Sequence, residues 1–178
     1  MPEFSMDQLV VSCRRAIDWL HRNLIRYNGD LDQLYVAGHS AGGHLAAMMM
    51  ATDWQLFNQK LSSEAVKGIC AISGLYNLLP LQLCYVNEIL RMDKATALSN
   101  SPVQLLPQTN CALVLAVGAD ETAEYLSQSS ELYSGWIKKQ ANLQLMEIPG
   151  RNHFSILETM LDNTSPLHKA ICSLMNIA

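Results

Sequence analysis

The sequence is poor in charged side chains and has no concentration of positive charge. Its 178 residues include 12 Lys and Arg against 16 Asp and Glu, which gives a net charge of −4 at pH 7. Proteins that bind nucleic acids carry a dense basic patch or stripe on one surface. The sequence therefore predicts no nucleic-acid partner. Its hydrophobic content of 49% predicts a globular chain with a large core.

Disulfide motifs, long apolar segments and signal-peptide features are also missing. The five cysteines are odd in number and widely spaced, without a C-x-x-C pair, so we expect reduced thiols and no zinc ribbon. The longest apolar run, residues 111–119, is too short to span a bilayer. The first residues, Met-Pro-Glu-Phe-Ser-Met-Asp, lack the basic and apolar regions of a signal peptide. These absences predict a soluble cytoplasmic protein without a membrane partner.

Helical and extended patterns alternate along the chain. We expect helices over residues 6–27, 41–52, 84–92, 123–140, 155–162 and 166–177, and strands over residues 34–37, 68–73, 112–117 and 143–148. Ser5 and Gln8 form a capping box at the start of the first helix, and Gly29 is expected to end it. Strands that alternate with helices form parallel sheets with right-handed crossovers. The sequence thus predicts one α/β domain over residues 1–178, with a mostly parallel sheet of about four strands flanked by helices.

A G-x-S-x-G motif, Gly38-His39-Ser40-Ala41-Gly42, joins the apolar strand at residues 34–37 to an alanine-rich helical segment. A serine between a strand and a helix occupies a strained turn known as the nucleophile elbow, in which larger residues at the two glycine positions are expected to collide with the strand and helix. The alternative is a glycine-rich turn without catalytic function. The strand before the motif and the helix after it favour a nucleophilic Ser40.

An acid and a histidine follow in the chain order that a serine hydrolase needs. Asp120 and Glu121 come directly after the strand at residues 112–117, and His153 follows the strand at residues 143–148. Each feature alone is commonly a helix cap or a solvated surface residue. Together with the motif, at the carboxyl ends of parallel strands, they predict an active site. The spacing of the other histidines does not match that of a metal site; they are His21, His39, His44 and His168. We therefore expect neither a metal nor a cofactor.

Four stretches resemble the arylformamidases (kynurenine formamidases), a family with the α/β-hydrolase fold. They are the nucleophile segment Gly38-His39-Ser40-Ala41-Gly42-Gly43-His44-Leu45-Ala46-Ala47, the segment Ile72-Ser73-Gly74-Leu75-Tyr76-Asn77-Leu78-Leu79-Pro80-Leu81, the acid loop at residues 117–129 and the histidine loop at residues 149–157. The first is specific only to the superfamily, whereas the combination favours the family. The resemblance extends over nearly the whole chain.

The resemblance implies a role for each candidate residue. Ser40 would be the nucleophile and His153 the general base and later the general acid. The family's acid falls three residues after the loop glycine, at Glu121, and Asp120 is the second choice. The backbone N–H of Ala41 would donate to the oxyanion. Tyr76 and Tyr125 lie near the same loops, and packing is as good an account of them as substrate binding.

One expected motif does not occur in the sequence. Members of the family carry an H-G-G-type loop upstream of the nucleophile, which supplies further oxyanion donors, and none precedes Gly38. The resemblance therefore implies that the chain corresponds to the C-terminal portion of an α/β-hydrolase, without the first strands. The strand at residues 34–37 would then have an exposed edge, and self-association through that edge is expected.

Three functions are compatible with these residues. The first is hydrolysis of the formyl amide of N-formylkynurenine, a small aryl formamide of tryptophan degradation. The second is a general carboxylesterase that cleaves small acyl esters with the same residues. The third is a truncated fragment of impaired activity, because loss of one oxyanion donor lowers the rate about 10²–10³-fold.

Overall fold

One parallel sheet forms the centre of the computed structural model, which describes residues 3–139 and 142–177. The strands are β1 (Tyr35–His39), β2 (Gly68–Ile72), β3 (Ala112–Gly118) and β4 (Leu143–Ile148), in the order β1-β2-β3-β4. All neighbouring pairs are parallel. The carboxyl ends of the four strands consequently meet at one edge of the sheet, where the loops that follow them lie side by side.

Helices cover both faces of this sheet. They are α1 (Met6–Asn23), α2 (Ala41–Met50), α3 (Trp54–Phe57), α4 (Leu79–Gln82), α5 (Asn87–Leu90), α6 (Lys94–Ser99), α7 (Ala123–Trp136) and α8 (Pro166–Leu174). Short 3₁₀ helices occupy Leu24–Tyr27, Leu31–Gln33, Pro102–Gln104 and Ser155–Met160. None of the helices among the described residues has both the length and the apolar character needed to cross a bilayer.

Alternate residues of the two central strands pack into separate cores. Ile69 and Leu113 belong to a core shared with α1, α2 and α7, whereas Cys70 and Val114 belong to a core shared with α8. Burial on both faces explains why the central strands are continuous apolar runs in the sequence. The expected α/β class and parallel sheet of four strands are confirmed.

β1 is an edge strand. Its hydrogen-bonding partner in the sheet is β2, with Tyr35 opposite Gly68 and His39 opposite Ile72, and Ala37 in its centre is exposed. An edge strand leaves a row of backbone N–H and C=O groups available to another chain. Self-association through β1 stays a prediction.

Several element boundaries differ from those expected. The first helix keeps its capping box at Ser5 but ends at Asn23, and the chain continues as a 3₁₀ turn. Asn28, not Gly29, takes the left-handed conformation after that turn, with φ 58°. Asparagine tolerates this region because its side chain bonds locally. Residue 140 of the helix expected over 123–140 lies outside the described residues.

The short helical stretch expected near residues 84–92 is present but shorter than expected. The segment contains only the short α5, because the Asn87 side chain closes a loop by bonding both backbone groups of Met92, at 2.8 and 2.9 Å. Arg91 is left-handed between them, with φ 51°. The helix expected over residues 155–162 is a 3₁₀ helix over Ser155–Met160 and not an α-helix.

Candidate active site

Ser40 lies at the sharp turn between β1 and α2. Its backbone has φ 57° and ψ −119°, a conformation that is strained for a non-glycine residue, and its N–H donates to the carbonyl of Ile72 over 2.9 Å. A side chain at Gly38 would place Cβ 2.1 Å from the carbonyl oxygen of Gly42. At Gly42 an added Cβ would meet none of the described atoms outside its own helix turn within 4 Å, so the expected collision at the second glycine is wrong.

A continuous line of hydrogen bonds links Ser40, His153 and Glu121. His153 Nε2 is 3.0 Å from Ser40 Oγ, and His153 Nδ1 is 2.8 Å from Glu121 Oε2. The three residues follow β1, β4 and β3, so the parallel sheet brings together loops that are far apart in sequence. The structure pairs Glu121, not Asp120, with the histidine. Asp120 is exposed, and its backbone N–H donates to the carbonyl of Arg151.

The carboxylate of Glu121 is buried and fully engaged. Its side chain has no exposed surface. Oε1 accepts hydrogen bonds from the Ser73 hydroxyl, at 2.5 Å, and from the backbone N–H of Gly118, at 2.8 Å. Oε2 is thereby directed to the histidine. These bonds fix the orientation of the carboxylate, as the acid partner of a histidine in a serine hydrolase requires.

The ring of His153 lies between two other rings. The centroids of His39 and Tyr125 are each 4.5 Å from that of His153, and Phe154 meets it edge-on at 5.4 Å. The Nε2–H of His39 also donates to the backbone carbonyl of His153 over 2.7 Å. Sequence reasoning gave His39 no role in the site. The sequence feature that could have indicated a role for His39 is its position, because it is the last residue of the strand that leads directly to Ser40.

Ala41 is the first residue of α2. The N–H groups of the first turn of a helix have no partner within the helix, and the helix dipole makes this end favourable for negative charge. The expected oxyanion donor is therefore positioned next to Ser40.

Tyr76, near the same loops in the sequence, is completely buried in the core, and burial raises the pKa of its hydroxyl. It is a packing residue.

The rings of the remaining histidines bond to backbone carbonyls of other segments. The Nε2 atoms of His21 and His44 lie 2.7 Å from the carbonyls of Ala65 and Asn100. His168 Nδ1 is 2.7 Å from the carbonyl of Met160. Across residues 3–139 and 142–177, no three His, Cys, Asp or Glu side chains are grouped so as to hold a metal ion.

The sequence model of one family, BD-FAE, matches residues 4–134, a stretch that includes the nucleophile turn, Ser73 and Glu121. The chain belongs to the BD-FAE family. It is 35% identical over 180 residues to a kynurenine formamidase of Salmo salar and 33% identical over 179 residues to that of Danio rerio. Both matches cover 98% of this chain. It spans only 59% of the length of either relative.

A solved structure has a similar fold. A protein from Silicibacter sp. TM1040 superposes with a TM-score of 0.78 at 26% identity, covering 96% of this chain and 60% of that protein. The α/β-hydrolase fold and the resemblance to kynurenine formamidases, both expected from the sequence motifs, are confirmed.

Proposed function

We propose that the chain carries the active site of a serine hydrolase that cleaves the formyl amide of N-formylkynurenine. The observation that carries this proposal is the hydrogen-bonded line from Ser40 through His153 to Glu121. The substrate is inferred from the kynurenine formamidases to which the chain is similar over 98% of its length. The substrate is a small molecule, and the proposed chemistry uses no cofactor.

Acylation begins with attack of Ser40 Oγ on the formyl carbon while His153 Nε2 takes the hydroxyl proton. Glu121 holds the imidazole through Nδ1 and stabilises the imidazolium that forms. The negative charge that develops on the former carbonyl oxygen is met by the N–H of Ala41 and the helix dipole of α2. The C–N bond then breaks, and the proton on Nε2 passes to the departing aryl amine. A formyl ester remains on Ser40.

Deacylation uses the same groups in reverse. His153 Nε2 takes a proton from a water molecule, and the resulting hydroxide attacks the formyl carbon. When the tetrahedral intermediate collapses, the bond to Ser40 Oγ breaks and Nε2 returns the proton to that oxygen. Formic acid leaves and gives its proton to the solvent as formate, and the serine hydroxyl is restored.

The direct test is hydrolysis of N-formylkynurenine by the purified chain, with Ser40→Ala as the control. We expect release of formate and kynurenine by the wild-type chain and none by the variant. Turnover of an aryl acetate but not of the formamide would contradict the proposed substrate and support a carboxylesterase. Turnover of neither substrate would contradict the proposed activity and support the impaired fragment.

A further inference from the structure

Ser73 is a strained residue directly after β2. Its φ is 49°, in the left-handed region, and its side chain is completely buried. The backbone is fixed there because its N–H donates to the carbonyl of Ala116 over 2.7 Å. Glycine adopts this conformation with less strain than any residue that carries a Cβ. A serine at such a position calls for a contact that glycine could not make.

That contact is the hydrogen bond to Glu121. The Ser73 hydroxyl donates to Oε1 over 2.5 Å and shares this oxygen with the N–H of Gly118. Oε2, which faces His153, is left with the histidine as its hydrogen-bonding partner among the described residues. A glutamate has one more rotatable bond than an aspartate, so its carboxylate needs more restraint to stay in one orientation. Two donors on one oxygen provide that restraint.

We propose that Ser73 is a positioning residue that holds the carboxylate of Glu121 in the orientation in which Oε2 accepts from His153. The inference rests on the proposed function, because it takes Glu121 to be the acid of a serine hydrolase. Ser73 and Glu121 are 48 positions apart, and both lie where a strand of the sheet ends. The backbone strain at Ser73 is then retained for function and not for stability.

Two substitutions separate the hydroxyl from the strain. Ser73→Gly removes both, whereas Ser73→Ala removes the hydroxyl and keeps the strained Cβ. We expect Ser73→Gly to unfold at a higher temperature than Ser73→Ala, because both lose the bond to the buried carboxylate and only Ser73→Gly relieves the strained Cβ. Both should lower kcat about 10- to 100-fold with little change in KM, because Ser73 is buried and acts only through the acid. Wild-type kcat in the folded Ser73→Gly chain would overturn the inference.

A spectroscopic measurement tests the inference without turnover. The Nδ1–H of His153, hydrogen-bonded to Glu121, should give a sharp low-field proton resonance that exchanges slowly with water. In Ser73→Gly we expect this resonance to broaden or move upfield, because the carboxylate can rotate away. An unchanged resonance would overturn the inference even if the wild-type chain hydrolysed no substrate.

The two proposals therefore fail separately. Loss of the resonance in Ser73→Gly together with no turnover by wild type would support the positioning role and contradict the proposed function. Turnover by wild type together with an unchanged resonance would support the proposed function and contradict the positioning role. Ser40→Ala, which removes the nucleophile but leaves the acid and its partners in place, is the control that should retain the resonance.

Discussion

His39 donates a hydrogen bond from its ring to the backbone carbonyl of His153 over 2.7 Å, across 114 positions of sequence. The residue next to the nucleophile thus holds the backbone of the proposed base. Since a carbonyl can only accept, Nε2 of His39 carries the proton. The two rings also contact one another, at 4.5 Å between centroids. This relationship fixes the histidine loop relative to the nucleophile turn.

Substitution of His39 should therefore slow the reaction without removing the chemistry. We expect His39→Ala to lower kcat about tenfold, because the histidine loop is then less well ordered. His39→Gln, which keeps an N–H donor at similar reach, should recover part of the loss. Steady-state kinetics of the two variants check this. Equal and unimpaired rates in both would show that the bond does not position His153.

The two adjacent carboxylates provide a matched pair for assigning the acid. Glu121→Gln keeps the side-chain shape but removes the charge that orients and stabilises His153, and we expect a loss in kcat of about 10²–10⁴-fold. Asp120→Asn should leave kcat near the wild-type value, because Asp120 is exposed and bonds through its backbone. A larger loss in Asp120→Asn than in Glu121→Gln would reverse the assignment.

The two glycines of the nucleophile motif should respond differently to alanine. Gly38→Ala places Cβ 2.1 Å from a backbone oxygen that cannot easily move, and we expect it to lower the free energy of unfolding by about 1–3 kcal/mol or more. The Cβ of Gly42→Ala meets none of the described atoms outside its own helix turn within 4 Å and lies in α2, so the substitution should raise the free energy of unfolding by about 0.5–1 kcal/mol. Chemical denaturation measures both. Equal losses would contradict the geometry of the turn.

Burial of His44 predicts a pH dependence of stability. Desolvation lowers the pKa of His44 below its ordinary value of 6.5, although the hydrogen bond to the carbonyl of Asn100 opposes this. The unfolded chain therefore binds a proton at His44 more readily than the folded chain does. Burial of the neutral ring stabilises the fold above pH 6.5, and this contribution is lost as the pH falls below 6.5. We expect the unfolding temperature to fall between about pH 7 and about pH 5, and to fall less in His44→Gln. An unchanged slope in that variant would show that His44 does not contribute.

The sheet and the proposed acid could be predicted because local patterns mark them. β4 begins and ends at the residues expected, because its apolar residues alternate with Gln144 and Glu147 and a proline and a glycine end it. Glu121 and His153 follow strand ends, which a sequence displays directly. The proposed roles of Ser73 and His39 could be inferred only from the structure, because they depend on contacts with residues 48 and 114 positions away. No local pattern carries that information.

The segment after β2 differs from its prediction for a local reason. We expect a short helical stretch near residues 84–92, but side-chain bonds from Asn87 to Met92 compete with helical hydrogen bonds and end α5 at Leu90. The collision expected at Gly42 is wrong because the space around that residue depends on which elements pack against the turn. The first outcome is set by a local side-chain bond that spans five positions, and the second by tertiary packing.

The most direct test of the central claim, that Ser40 is an activated nucleophile, is covalent labelling with a fluorophosphonate followed by peptide mapping. We expect one modified residue, Ser40, with no label in Ser40→Ala and much slower labelling in His153→Ala. Full labelling of Ser40 in His153→Ala would show that the hydrogen bond at 3.0 Å does not activate the serine. Absence of label on Ser40 in the folded wild-type chain would contradict the account.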